Sequence, residues 1–85
     1  MNNVVMRTIP LTAAFQPLSA KTVEVASVDI TAPPSTQHAV VFQGDDGSDV
    51  TWIPGEFHIF WRVNLGEIRV RGVPGDVLTL IGGTW

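Results

Sequence analysis

The chain has no cysteine, no tyrosine, a single lysine (Lys21) and no apolar run near the roughly 20 residues of a membrane span. Without cysteine there is no disulfide framework and no thiolate zinc site. That absence matters because 85 residues bury only about 60–65 % of the surface exposed by the unfolded chain. A small domain without staples commonly gains stability by self-association. Charge is scarce too: 15 % of residues are charged and 45 % hydrophobic, against about 25 % charged in an ordinary soluble domain. Too few charges are present to cover the surface, so apolar area is expected to stay exposed as an interaction face.

The net charge of −3 excludes the usual basis of nucleic-acid binding, clustered cations that neutralise phosphates. Arg62, Arg69 and Arg71 could approach one another on adjacent strands, but acidic residues interleave with them. The start Met-Asn-Asn-Val lacks the basic and apolar regions of a secretory signal, so a protein made in the cytoplasm with no membrane partner is expected.

What is present is punctuation. Pro17, Pro33-Pro34, Gly44 to Gly47, Pro54-Gly55, Gly66, Pro74-Gly75 and Gly82-Gly83 leave no window long enough for a good helix. The runs between them are rich in valine, isoleucine and threonine, which predicts an all-β fold: one small sandwich or barrel of antiparallel strands over residues 1–85. Pro10 cannot donate within a central ladder and marks the first run as a sheet edge or strand end, with residues 1–12 a possible extended N-terminal arm.

In the second run Val23 and Val25 are one residue out of phase with Val28 and Ile30, which predicts a β-bulge or strand break at Ala26-Ser27. Ala39 to Phe42 reads as a strand buried on both sides or at the centre of a sheet. The segment Asp45-Asp46-Gly47-Ser48-Asp49 reads as a hairpin turn, and Pro54-Gly55 has the residues of a type II turn.

The aromatic-rich strand Phe57 to Val63 alternates Phe57, Ile59, Trp61 and Val63 with His58, Phe60 and Arg62. The first set is expected in the core, which leaves Phe60 and Trp52 to be explained separately: Trp52 either stands outward with Phe60 or anchors the hairpin by packing beneath its turn. Ile68 and Val70 alternate with Arg69 and Arg71. The last strand is apolar on both faces, which suits a central strand or one that meets the core on one side and a partner on the other.

No motif for catalysis stands out. No serine or threonine lies beside a histidine in a nucleophile motif, and no glycine loop precedes a helix to cradle phosphate. His38, His58 and Glu56 could meet across strands at a metal, but solvated or hydrogen-bonded histidine is the better reading. The three carboxylates around Gly47 suit calcium in kind but not in spacing, and a hairpin turn uses the same residues. No cofactor, metal or enzymatic activity is expected. Exposed together, Trp52, Phe60 and Trp85 would form a platform for stacking sugar rings, which makes a carbohydrate-binding module of a tail or cell-surface assembly the alternative function.

Several phrases occur in a familiar order: Arg7-Thr-Ile-Pro-Leu-Thr12, Thr22-Val-Glu-Val25, Ala39-Val-Val-Phe-Gln-Gly44, Pro54-Gly-Glu56, Val63-Asn-Leu65, Ile68-Arg-Val-Arg-Gly72 and Gly75-Asp-Val-Leu-Thr-Leu80. Over nearly the full length the chain resembles the small tailed-phage virion proteins of the head decoration, or cement, type. That resemblance implies a jelly-roll-like sandwich on the capsid surface of the virion, partnered by the major capsid protein and by its own copies, often as a trimer. The expected contacts are Arg7, Ile9 and Pro10, where an edge strand extends a neighbour's sheet, and Trp52, Phe60 and Trp85 as aromatic anchors.

Overall fold

The structure, a computed structural model, describes residues 4–35 and 37–84. Eight strands form: β1 (Val4–Pro10), β2 (Gln16–Pro17), β3 (Glu24–Thr31), β4 (Val40–Gln43), β5 (Asp49–Trp52), β6 (Phe57–Asn64), β7 (Arg69–Arg71) and β8 (Val77–Gly83). They make two four-stranded antiparallel sheets, ordered β1-β8-β3-β6 (sheet A) and β2-β7-β4-β5 (sheet B). The first strand thus pairs with the last, the second with the seventh, the third with the sixth and the fourth with the fifth. That winding is the jelly roll.

Alternation along the strands fills the space between the sheets. Val5, Val28, Ile30, Leu78 and Leu80 from sheet A meet Val40, Phe42, Trp52 and Val70 from sheet B, all buried. At roughly 1.5–3 kcal/mol for each large apolar side chain removed from water, this one layer supplies most of the driving force for folding. Glycines with positive φ occupy the turns as the sequence requires, Gly47 (φ 85°) in the β4–β5 hairpin and Gly55 (φ 88°) before β6. Asn64 caps the 3-10 turn Leu65–Glu67: its Oδ1 accepts from the amides of Gly66 (2.9 Å) and Val23 (3.1 Å).

Two expectations are corrected here. Val4–Pro10 is not an arm: it pairs along its whole length with β8 of the same chain and buries Val5. It is nonetheless a sheet edge, with Pro10 as its last residue. The phase change in β3 needs no inserted residue. Val25 pairs with Val63 and Ser27 with Trp61 in one unbroken register, while the Ala26–Arg62 pair between them drops out of the ladder. Arg62 takes φ 56° there. A left-handed residue reverses the sense of side-chain alternation along β6, so Val63 turns inward although it shares parity with the outward Trp61, and its ladder partner Val25 is buried with it. At this point β3 lies hard against β8: a Cβ on Gly82 would collide with the Ser27 carbonyl oxygen and lie 2.8 Å from the Val28 Cα.

Candidate docking surface

The outer face of sheet A is where the chain leaves apolar area uncovered. The register places Met6, Ile81, Asp29 and Ile59 in one row across the four strands. Val4, Gly83, Ser27 and Trp61 form the row on one side, and Thr8, Thr79, Thr31 and Phe57 the row on the other. Met6 is 69 % exposed, Trp61 67 %, Ile81 58 % and Phe57 57 %. Asp29 is the charged group within these rows, and it accepts a hydrogen bond from Thr31 Oγ1 at 3.0 Å. The outer face of sheet B is different in kind. Gln43, Asp49, Thr51, Arg69 and Arg71 stand there around the half-buried Val41, with Arg71 Nη2 donating to Asp49 Oδ2 at 3.1 Å and its guanidinium 5.2 Å from the Phe15 ring centre.

The assignment of β6 to core and solvent is the reverse of the one expected. Phe57, Ile59 and Trp61 point outward, and Phe60 packs against the core with Val63. The reason is Trp52. It crosses from β5 into the gap between the sheets, 4 % exposed, with Phe42 stacked on it at 4.0 Å between ring centres, Phe60 parallel at 6.4 Å and His58 edge-on at 4.7 Å. The inward side of β6 therefore faces an indole already in place, and Phe60 and His58 complete the stack.

Of the contacts expected from the sequence, Arg7 and Pro10 are exposed on the edge strand β1, while Ile9 is half-buried against the core. Trp52 is interior and Phe60 mostly so, which removes both from the expected outward platform. Trp85 lies outside the described residues. The residues the sequence reading missed are Met6, Phe57, Ile59, Trp61 and Ile81. A signal for Ile81 was present in the two-sided apolarity of the last strand. Phe57, Ile59 and Trp61 were recognised as one face, and only its direction was inverted.

The polar groups are engaged locally. Glu56 Oε2 bonds His58 Nε2 at 2.7 Å, and its Oε1 accepts from the Ile53 amide at 3.1 Å. These two bonds, the histidine's first, hold the Glu56 carboxyl below its ordinary pKa. His38 Nδ1 lies 3.1 Å from Asp76 Oδ2, so the two histidines serve separate carboxylates. In the β4–β5 turn Asp46 Oδ1 accepts from the Ser48 hydroxyl (2.6 Å) and amide (3.0 Å), which lowers its pKa. Among the described residues no three metal-ligating side chains gather. An open groove of about 570 Å³ runs between the β5 and β6 edges, floored by Trp52 and Phe60 and rimmed by Asp45, Glu67 and Arg69.

A jelly roll with one polar and one apolar outer face is thus the extent of what the geometry assigns: no family model, curated protein or solved structure matches the chain.

Proposed function

We propose that the protein is a structural subunit that adheres through the outer face of sheet A, and that it works as a decoration protein on a virion capsid. The single observation that carries the adhesive reading is the row of Met6, Ile81 and Ile59 flanked by Trp61 and Phe57, all exposed on one face of the sheet. What supports the capsid setting is the motif order set out above.

Magnitudes favour a repeated contact over a solitary one. Covering five partly exposed apolar side chains gains roughly 1 kcal/mol each, about half the value for full burial. The sum, about 5 kcal/mol, is comparable to the 4–15 kcal/mol lost in translational and rotational freedom on association. One such contact is weak. Arrayed on a shell, where each bound copy raises the effective concentration of its neighbours' contacts, the same contact holds firmly.

The test is co-sedimentation of the purified chain with shells of the major capsid protein, followed by heating. The chain is expected to pellet with the shells and raise their disruption temperature, whereas Trp61→Glu stays in the supernatant. A wild-type chain left in the supernatant overturns the reading. Trp61 on this exposed face, with Ser27 opposite it and Asp29 in the next row, also suits a sugar ring, so oligosaccharide quenching of Trp61 fluorescence would favour the carbohydrate-binding alternative.

A further inference from the structure

Four strand edges are open to solvent in a two-sheet sandwich, and three of them carry devices that discourage pairing. Edge β1 ends in Pro10 and has Arg7 on its inward parity, β2 is two residues long and includes Pro17, and β5 is four residues long and begins at Asp49. Edge β6 has none of these between Phe57 and Trp61: the run Phe-His-Ile-Phe-Trp contains no proline, lysine, arginine or acid.

The backbone of that run is directed outward in a defined way. The Ala32 amide donates to the Glu56 carbonyl at 2.9 Å. Alternation along the antiparallel ladder then turns the N–H and C=O groups of His58 and Phe60 toward β3, and those of Phe57, Ile59 and Trp61 away from the sheet. The positive φ of Arg62 ends this regular edge. A five-residue stretch centred on Ile59 is left, with three residues that offer both backbone groups and an exposed apolar side chain.

We propose that a second copy of this chain pairs with β6 antiparallel about a two-fold axis through Ile59, joining the two A sheets into one of eight strands. Backbone parity requires Phe57, Ile59 and Trp61 to face residues of the same set, and centring the regular stretch selects one register. Ile59 lies opposite Ile59 of the second copy, Phe57 opposite its Trp61 and Glu56 opposite its Arg62. The last pairing lies just beyond the regular stretch at each end of the seam and brings opposite charges near each other: Arg62 makes no ion pair among the described residues, while the Glu56 carboxylate is also held by His58 and the Ile53 amide. On the outer face the two sets of Phe57, Ile59 and Trp61 merge into one apolar strip across the joint. The arrangement is isologous and closes on itself; it is a dimer contact, distinct from the trimer implied by the resemblance. It requires no capsid, so it stands or falls apart from the proposed function.

The test exploits the absence of cysteine. Residues on the axis of such a seam sit with Cα atoms about 5.5 Å apart, within disulfide reach, whereas Phe57 and its own counterpart are separated by about four residues of strand, roughly 13 Å along the seam. Ile59→Cys is expected to oxidise to a covalent dimer and Phe57→Cys to stay monomeric under the same conditions. Light scattering of the unmodified chain should show a dimer that dissociates on dilution. Ile59→Lys, on the solvent face and so without effect on the fold by circular dichroism, should weaken that dimer at least tenfold. Ile59→Pro removes only the amide that faces the second copy, and should also give a folded monomer. A chain that stays monomeric at all concentrations overturns the proposal. So does a dimer that survives Ile59→Lys, or a Phe57→Cys chain that cross-links as readily as Ile59→Cys.

Discussion

The two sheets share one core yet present opposite chemistry to solvent. Sheet B turns Gln43, Asp49, Thr51, Arg69 and Arg71 outward, and its Arg71–Asp49 pair is an ordinary solvated ion pair. Sheet A turns out Met6, Phe57, Ile59, Trp61 and Ile81. Because both sheets bury apolar side chains on their inner faces, sandwich stability does not account for the difference: a strand pairs and buries its core face whatever its outer side chains are. The lesson concerns where scarce charge is spent. With 15 % charged residues, the chain polarises one face and leaves the other for contact.

Substitutions that separate inner from outer faces sharpen this comparison, beginning with the largest effect. Trp52→Ala empties the centre of the Phe42–Trp52–Phe60 stack and should cost about 3–5 kcal/mol in urea unfolding. Trp61→Ala, on the same chain and with the same loss of atoms, should change monomer stability by no more than about 0.5 kcal/mol. Similar losses at the two sites would erase the distinction between inner and outer aromatics. Gly82→Ala should cost about 1–3 kcal/mol, because the added methyl meets the β3 backbone where it crowds β8. Asp49→Ala on sheet B breaks an exposed pair with Arg71 and should cost about 0.2–1 kcal/mol, shrinking in salt.

The smallest effect is a pH dependence in the turn that leads into β6. Glu56 has its pKa lowered in the folded chain by His58 and the Ile53 amide. Its folded-state pKa is below the unfolded one, so its contribution is complete above the ordinary glutamate range and is lost as pH falls through the folded value. Amide shifts of Ile53 and His58 followed by NMR should move together in acid, and Glu56→Gln should abolish that transition.

Much of the fold was legible in the sequence. The spacing of Gly47, Gly55 and Pro10 marks turns and an edge, and alternation identifies Val28, Ile30 and Val70 as interior, whereas the last strand, apolar on both faces, does not reveal that Leu78 and Leu80 are its buried side. The docking face was half legible. Alternation separates Phe57, Ile59 and Trp61 from His58 and Phe60, but it carries no sign, and apolar count then points the wrong way. The sign depends on Trp52 arriving from another strand and on the left-handed conformation of Arg62, which no arginine advertises. With Val63 turned inward by that residue, the sense of Trp61 two positions earlier could not be read from it.

The most direct test of the account is acrylamide quenching of Trp61 in a Trp85→Phe chain, where Trp52 is shielded by the core in every state. The adhesive face predicts that Trp61 is readily quenched in the free chain and becomes protected when the chain binds shells. Equal quenching of Trp61 in the free and assembled states would contradict it.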